Sequence, residues 1–436
     1  MADKHCIRLV YFIAQFFLLS YVFAQNSEDQ STSTNETNVD LKKEVKTRSG
    51  YEADDIGYGG RSSVGASLYL DDIFVPEHLR FPEFDKSLQP YYEWKRKIRK
   101  QYNLQFGQDY TSLYQKASDS LTDTYSASAG VYRLFGRWLA TGKGTKNSGA
   151  LVFKIEHSHR YGAVSPDELN EELDYLGSTG LLYSDLGWVL NDFNWQQRFN
   201  DGKGGFVVGR IDPNDYMDVV DYANPWTTYQ NMNILENHSI AIPDTSFGFG
   251  IAHSFNDQWY VKVAASDANG SLDDPGFFEQ GAEFFSFAEI GWTPAIAVRD
   301  LKDMHVTFWH VDERVNENVP EGEGVAFGAS WAFGKQWIVF GRTGQSRGEA
   351  SLMRRSTTVG VSHIWKAYFD VFGWAVNYSE PVNQQLRNQT TMETFLKIQL
   401  AQNIAFTPSF QLLINPALNP QQDQIQIYGL RFRVTL

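Results

Sequence analysis

Apolar and polar residues alternate over many short stretches of this chain. Leu151, Phe153 and Ile155 alternate with Lys154 and Glu156. Because successive side chains of a β-strand point to opposite faces, such a stretch predicts a strand with one apolar and one polar face. The same pattern recurs at residues 193–199, 396–400, 410–414 and 430–436. An apolar outer face and a wettable inner face are typical of a membrane barrel, although a soluble β-sandwich also alternates.

The connections between the predicted strands alternate between short and long. Short ones fall near 200–205, 255–257, 334–336, 365–368 and 403–407; long ones fall near 161–186, 213–245, 268–280, 313–322, 344–353, 380–390 and 415–423. Membrane barrels have short periplasmic turns and longer outer loops. The spacing therefore predicts an all-β fold for residues 103–436: an antiparallel transmembrane β-barrel of about sixteen strands with both ends periplasmic.

The chain before the barrel divides into three predicted segments. Residues 1–24 resemble a signal peptide, because a basic start precedes an apolar run and small residues, Val22 and Ala24, before a cleavage site. Residues 25–65 are polar and of low complexity, which indicates a disordered leader. Residues 66–102 are expected to hold a short helix from about Asp85 to Tyr102, at the periplasmic mouth or in the lumen. Its basic C-terminal end suits the helix dipole, and a solvated basic face is the alternative.

Composition narrows the function classes. The formal net charge of −14 argues against a nucleic-acid partner, which requires a basic face. The single cysteine, Cys6, lies in the predicted signal peptide, so disulfides, cysteine-ligated zinc and cysteine nucleophiles are excluded from the mature chain. Beyond the signal, no apolar stretch reaches the ~18 residues of a transmembrane helix. A mature chain that spans a membrane must therefore do so as a closed barrel.

Several segments carry a family resemblance. The chain resembles the carbohydrate-selective (OprB-type) porin family from about Trp94 to Leu436. The clearest segments are residues 208–218, 414–420 and 428–434, with weaker ones at 131–138, 153–157, 195–199 and 307–310. The resemblance implies a sixteen-stranded outer-membrane barrel, an associated N-terminal segment, and passive uptake of mono- or oligosaccharides.

Charges in the middle of predicted strands should face the lumen, since an ion on the lipid face costs about 2–4 kcal/mol at the bilayer midplane. The candidates for lining or constricting a channel are Arg133, Arg137, Lys154, Glu156, Asp192, Arg198, Arg210, Asp212, Glu289, Arg342, Arg431 and Arg433. Each could instead belong to an ion-pair network that holds the barrel's shape. Trp309 is the candidate for stacking on a sugar ring, with a place in the aromatic girdle as the alternative.

Other motifs point to local structure rather than to chemistry. The spacing of Asp212, Asp215 and Asp218 allows a calcium hypothesis, but the turn-forming sequence at 212–215 favours a turn. Ser165 and Glu168 form a capping-box pattern, which predicts a short helix through about Leu176 in an ordered extracellular loop. A loop folded into the channel is the alternative. With no nucleophile elbow, phosphate loop or cofactor fingerprint, no catalytic residue, metal or cofactor is expected.

The leading hypothesis is therefore an outer-membrane porin for passive, sugar-selective diffusion. Its partners would be small carbohydrates, outer-membrane lipid and lipopolysaccharide, and both a monomer and a homotrimer remain open. One alternative is a secreted β-rich glycoside hydrolase, which would need a carboxylate pair across a cleft. Another is a non-conducting barrel that serves as an adhesin or scaffold.

Overall fold

A computed structural model describes residues 46–52, 59–60, 62–220, 222–276, 278, 281–334, 336–365 and 370–436. The predicted signal peptide and residues 25–45 of the predicted leader lie outside the described residues. Sixteen antiparallel strands close into one barrel, in which each strand pairs with its neighbours in sequence and the first pairs with the last. The predicted fold class is confirmed.

The strands in chain order are β1 Leu104–Ala117, β2 Ser126–Thr141, β3 Gly149–Arg160, β4 Gly187–Phe199, β5 Gly204–Ile211, β6 Ser246–Ser254, β7 Trp259–Asp267, β8 Phe284–Trp292, β9 Lys302–Val311, β10 Gly322–Phe333, β11 Trp337–Gly348, β12 Met353–Trp365, β13 Asp370–Pro381, β14 Gln389–Ala401, β15 Ile404–Ile414 and β16 Gln424–Thr435. The α-helices are α1 Val64–Asp72, α2 Pro82–Tyr102, α3 Leu169–Leu173 and α4 Met232–Leu235, with 3₁₀ turns at Pro213–Asp215 and Ile296–Val298. Within the described part of the chain, none of these helices is both long enough and apolar enough to cross a bilayer.

The two faces of the strands follow the predicted alternation. Phe153 lies opposite Phe193, whose side chain is exposed on the outer surface, whereas the next pair, Lys154 and Asp192, is buried inside. The seam between β1 and β16 closes with Tyr110 opposite Val434. A closed sheet has no unpaired edge, so its backbone groups are satisfied without water.

The two ends of the barrel differ as the spacing predicts. The turns at 200–203, 255–258, 334–336 and 402–403 lie at the end that also holds both chain ends of the barrel. The loops at 161–186, 212–245 and 268–283 lie at the opposite end. The predicted long connection near 344–353 is only residues 349–352, because Gly348, at φ +81°, turns the chain where other residues would be strained.

Helix α2 runs directly into β1. It begins at Pro82, slightly before the predicted start, because a proline in the first helical turn forfeits no backbone hydrogen bond. It ends at Tyr102, and the next residue, Asn103, has a left-handed backbone (φ 57°) and donates its N–H to the Arg99 carbonyl at 2.9 Å.

The loop at 161–186 (the first inner loop) folds into the barrel rather than standing outside it as expected. The Ser165–Glu168 capping box forms, with the Ser165 N–H donating to the Glu168 carboxylate at 3.1 Å. Helix α3 nevertheless stops at Leu173 rather than Leu176, because Asp174 takes a left-handed conformation. The cause of the inward fold is apolar: Leu169 and Leu173 pack against Leu413, Ile425 and Ile427 of the inner wall.

The loop at 212–245 (the second inner loop) also enters the lumen. Its Tyr229 and Ile234 pack against Phe340 and Phe395 on the inward faces of β11 and β14. Burial of such side chains contributes about 1.5–3 kcal/mol each. The inner wall is therefore not uniformly polar, and its apolar patches are covered by the loops.

The described residues of the predicted leader, 46–52, 59–60 and 62–65, include several that contact the barrel or α1. Backbone N–H groups of Ser49 and Tyr51 donate to the Asp72 carboxylate, and the Tyr51 hydroxyl donates to the Phe106 carbonyl at 2.9 Å. Val64 and Leu68 of α1 pack on the inner wall. Tyr51 packs in the same cluster, and disorder in the leader stays a prediction.

Candidate functional site

A cavity lies inside the barrel, between the wall and the two inner loops; about 830 Å³ of space there is free of protein atoms, including the part that is open to solvent. The wall contributes Lys154, Glu156 and Arg342 to its lining, while the second inner loop contributes Asp215 and Glu236. Leu181, Val220, Pro225 and Trp226 supply apolar surface. The lining therefore combines charges of both signs with carbon-rich faces.

A second cavity, open to solvent, extends toward the short-turn end. Arg137, Arg198, Lys262 and Tyr216 border it. The 3₁₀ turn at Pro213–Asp215 contributes to both cavities, so it stands between them along the barrel.

Lys154 joins this turn to the wall. Its Nζ lies 2.9 Å from Asp192 Oδ2 and 3.4 Å from Asp215 Oδ2, and all three side chains are nearly inaccessible. The Asp212 carboxylate accepts from the Asn214 N–H at 3.0 Å, which is the turn-forming role expected from the sequence. Among the described residues, no group of three or more His, Cys, Asp and Glu side chains is placed to hold a metal ion.

Wall residues hold the second inner loop by its backbone. The Glu393 carboxylate accepts from the N–H groups of Gln230 at 2.9 Å and Asn231 at 3.0 Å. The Arg431 guanidinium donates to the carbonyls of Pro225 and Thr228, at 2.9 and 2.8 Å. Bonds from charged groups to backbone are worth about 1.5–3 kcal/mol each, so these side chains fix the loop's position.

A second set of charges fixes the start of the same loop. Glu289 accepts from the Asp218 N–H at 2.9 Å, and Lys262 Nζ lies 2.7 Å from Glu289 Oε1. His305 bridges Asp218 and Asp303, at 3.2 and 2.7 Å. The Arg342 guanidinium donates to the Ile234 carbonyl and reaches Asp218 at 4.0 Å.

The seam between the first and last strands carries a third set. Asp109 accepts from Arg133 Nε at 2.9 Å and from Arg433 Nε at 3.1 Å. Arg433 also reaches Asp71 of α1, with Nη1 3.0 Å from Oδ1. The Arg133 guanidinium lies 3.7 Å from the centroid of the Trp226 ring. One cluster thus connects the barrel closure, the N-terminal segment and the second inner loop.

Most of the predicted lumen residues do face inward. The inward-facing set comprises Arg133, Arg137, Lys154, Glu156, Asp192, Arg198, Glu289, Arg342, Arg431 and Arg433. Four predicted residues border the 830 Å³ cavity, namely Lys154, Glu156, Asp212 and Arg342. Arg133, Glu289, Arg431 and Arg433 instead hold loops or the seam in buried contacts. Which of these residues constrict a channel stays a prediction.

Arg210 is on the outer face, contrary to the prediction. It lies opposite Phe193 and Phe247, both on the outer surface, and its guanidinium donates to the Leu190, Ser271 and Asp274 carbonyls at the long-loop end. Val207 and Ile211 point inward in its place. The prediction assumed that apolar residues face lipid, but here they face the second inner loop.

Substituting Arg210 by Gln should therefore loosen the loop at 268–283 without changing ion selectivity. Limited proteolysis of that loop should become faster, because two of its carbonyls, those of Ser271 and Asp274, lose their donor. The matched substitution Arg342→Gln, on the lumen side, should shift the reversal potential across a salt gradient. A change in selectivity from Arg210→Gln would contradict the assigned position.

Trp309 is neither exposed for stacking nor part of a girdle. Its side chain is 3% exposed and packs among Met217, Ile240, Phe285 and Phe287, under the second inner loop. A sugar ring cannot reach it while the loop is in place. The aromatic residue that borders the cavity is Trp226.

The sequence analysis did not identify several residues that line the cavity or hold the inner loops and the seam. The alternation of inward and outward positions along a strand would have been enough to place three of them inside the barrel, namely Asp109, Lys262 and Glu393. Trp226 and Glu236 lie in a long loop without periodicity, and no local signal identifies them. His157 and His159 lie near the long-loop ends of their strands, where the His157 and Trp188 rings meet edge to face with their centroids 4.7 Å apart.

Comparison with known proteins identifies a related family and several relatives. Residues 301–436 match the family described as carbohydrate-selective porin, OprB family. Relatives include Porin AaxA of Chlamydia pneumoniae, 28% identical over 163 residues, covering 35% of this chain and 36% of the relative. Porin AaxA of Chlamydia trachomatis serovar D is 22% identical over 270 residues, covering 57% and 56%. The chain thus spans from about a third to just over half the length of these relatives.

Solved structures share the fold. The high-pH structure of Pseudomonas putida OprB has a TM-score of 0.61 at 12% identity, covering 79% of this chain and 97% of that one. A mutant of the Rhodopseudomonas blastica porin has a TM-score of 0.51 at 10% identity, covering 76% and 100%. The predicted resemblance to the carbohydrate-selective porin family is confirmed over residues 301–436.

Proposed function

We propose that this chain, whose C-terminal third matches the carbohydrate-selective porin family, is an outer-membrane porin through which small carbohydrates diffuse passively. The observation that carries the proposal is the 830 Å³ cavity inside a closed sixteen-stranded barrel. Its short turns would face the periplasm and its long loops the outside. Export through the predicted signal peptide belongs to the same proposal.

The lining of the cavity has the chemistry that a sugar requires. Lys154 and Arg342 offer donors to hydroxyl oxygens, and the carboxyl oxygens of Glu156, Asp212 and Glu236 offer acceptors. These groups replace the water that a sugar loses on entry. Transport also needs weak binding, because a solute must leave as readily as it enters.

The apolar side of the lining complements the C–H face of a pyranose ring. Trp226, Pro225 and Val220 lie on the second inner loop, whereas Leu181 and Leu182 lie on the first. Trp226 is also largely buried, at 5% exposed, but it borders the cavity and Trp309 does not; we therefore assign ring stacking to Trp226 in place of Trp309. The Arg133 guanidinium against one face of Trp226 holds the indole in position.

Liposome swelling with purified protein tests the proposal. Swelling should be fast in monosaccharides and slower in di- and trisaccharides, and the same sugars should reduce ion current in planar bilayers. Trp226→Ala should weaken the current block while Trp309→Phe, away from the cavity, leaves it unchanged. Rates that depend on solute size alone, without current block, would refute sugar selectivity.

The remaining outcomes separate the other function classes. The two inner loops fill much of the lumen, and this observation favours a non-conducting barrel as the second candidate. A folded barrel that neither swells liposomes nor conducts would establish that candidate. Release of reducing sugar from oligosaccharides would instead indicate a glycoside hydrolase.

Selectivity for cations should rise with pH. Burial, with Asp215 nearby, raises the pKa of Asp212 to about 7; burial, with Asp212 nearby, raises the pKa of Glu236 to about 8. Both carboxyls are therefore neutral at pH 6 and negatively charged at pH 9, so the lining gains negative charge across that window. The reversal potential across a KCl gradient should shift toward the potassium equilibrium potential.

The variant Glu236→Gln should remove the upper part of that titration and keep the part near pH 7. Glu323→Gln, at an exposed position in β10, is the matched control and should leave the titration intact. A reversal potential that does not change between pH 6 and 9 in the parent would contradict the assignment.

A further inference from the structure

Helix α2 lies beside the outer surface of the barrel at its short-turn end. The Trp94 ring is 5.3 Å from Phe106, and Gln108 Nε2 donates to the Tyr91 hydroxyl at 3.2 Å. Trp138 Nε1 donates to the Tyr102 carbonyl at 3.1 Å. Phe106, Gln108 and Trp138 all belong to the outward faces of β1 and β2. This side of the helix is therefore continuous with the surface that faces lipid.

A second side of the helix fixes it to the barrel rim. Lys95 is 2% exposed, and its Nζ lies 3.3 Å from the Leu436 carbonyl. The Tyr92 hydroxyl accepts from Arg48 and from Asn403 Nδ2, both at 2.7 Å. These contacts set the rotation of the helix about its axis, and hence which residues point toward the membrane.

An aromatic stripe runs along the side next to the barrel's outer surface. It consists of four aromatic residues and one isoleucine, which the helical repeat of 3.6 residues per turn keeps on one face: Phe84, Tyr91, Trp94, Ile98 and Tyr102. Phe84, Trp94 and Tyr102 are 46, 49 and 54% exposed. Water contact over so much aromatic surface is unfavourable, whereas Trp and Tyr are favoured at the level of lipid headgroups.

Basic residues concentrate in the C-terminal half of the same helix. Five of the six residues from Lys95 to Lys100 are basic. Of these, Arg96, Lys97 and Lys100 are exposed on the sides not in contact with the barrel. Within α2, no acidic residue follows Glu93. The chain as a whole has a formal charge of −14, so the positive charge of this half of the helix is opposite in sign to the net charge of the protein.

We propose that α2 is an interfacial helix that binds anionic phospholipid in the periplasmic leaflet. The stripe inserts at the boundary between headgroups and acyl chains, and Arg96, Lys97 and Lys100 reach the lipid phosphates with their long side chains. The chemistry recognised is a phosphodiester on a bilayer surface. The inference rests on the proposed function only in requiring that the barrel span a membrane.

Lipid selectivity tests the charge part of the proposal. The mature protein is refolded in phosphatidylcholine bilayers that contain spin-labelled phosphatidylglycerol or spin-labelled phosphatidylcholine, and the immobilised fraction is measured by electron paramagnetic resonance. The parent should retain phosphatidylglycerol severalfold more than phosphatidylcholine, and 1 M salt should abolish the difference. Lys97→Gln with Lys100→Gln should bring the ratio close to one.

The matched control is Lys116→Gln with Arg347→Gln, which removes two exposed cations at the long-loop end. That variant should keep the parent's preference. Equal retention of both lipids by the parent, or a preference that survives in the Lys97/Lys100 variant, would overturn the proposal.

Labelling depth tests the aromatic part. Cys6, the only cysteine, lies in the predicted signal peptide, so a fluorophore can be attached to Phe84→Cys or Lys86→Cys alone. Lys86 lies on the opposite side of the helix from Phe84 and is exposed. The label at position 84 should be quenched by doxyl lipids, and the label at 86 by aqueous iodide. Equal iodide quenching at both positions would exclude an inserted stripe.

Each preparation is also checked for heat-modifiable migration and for conductance. A conducting barrel without lipid preference refutes the helix proposal alone, whereas a folded, non-conducting barrel that retains phosphatidylglycerol refutes the porin proposal alone.

Discussion

Replacing residues 222–234 with a short Gly-Ser linker should raise the single-channel conductance severalfold. This stretch of the second inner loop includes Trp226, Tyr229 and Ile234, which occupy the lumen between β11, β14 and the first inner loop. Sixteen-stranded barrels are wide enough for an aqueous channel, so the loop rather than the wall limits the path. Planar-bilayer recordings at fixed salt give the measurement.

Selectivity should fall together with the rise in conductance. The deletion removes Trp226 and widens the lumen, so that a single sugar can no longer contact charged residues on opposite sides of the wall. Sugars should therefore no longer block the current. The matched control shortens the loop at 312–321 by removing residues 315–318, which are exposed and distant from the cavity. Unchanged conductance in the 222–234 variant would mean that the path runs elsewhere.

Asp109→Asn should be among the most destabilising single substitutions in the barrel. Asp109 is 2% exposed and accepts from both Arg133 and Arg433, so its loss leaves two buried guanidinium groups facing each other. Breaking a buried ion pair on one side costs about 3–5 kcal/mol. The midpoint of unfolding in urea, followed by heat-modifiable migration, should fall accordingly.

Asp71→Asn provides the matched comparison for the same cluster. Asp71 also pairs with Arg433, but it is more exposed and belongs to the N-terminal segment. Its loss leaves Arg433 paired with Asp109, so the barrel should lose only about 1 kcal/mol. Equal effects of the two substitutions would show that the seam does not depend on Asp109.

The side of the barrel that a charged residue faces could be predicted in most cases from whether its position along the strand is odd or even. The prediction was wrong for Arg210. Arg133, Lys154 and Arg431 face inward because their strand neighbours are apolar and face lipid. Arg210 breaks this reasoning, since Val207 and Ile211 are apolar and also face inward. Parity identifies two faces of a strand, but which face is the lumen depends on what covers it.

The two inner loops illustrate the same limit. The capping box at Ser165 and Glu168 and the turn at Asp212–Asp215 are local features, and both form as the sequence predicts. The direction in which each loop then runs depends on Leu413, Phe340 and Phe395, which lie more than a hundred residues away in sequence. No local pattern carries that information.

The sequence by itself predicted the barrel: period-two alternation, uneven connections and the strand count indicate strands that span a membrane, and in lipid only a closed sheet satisfies every backbone group. It also determined the inward direction of ten charged residues, since strand geometry is local. Only the tertiary structure decided which loops fill the lumen, which charges hold them, and that Trp226 rather than Trp309 borders the cavity. Those outcomes depend on contacts between distant segments, where burial of apolar surface overrides the local polarity of a loop.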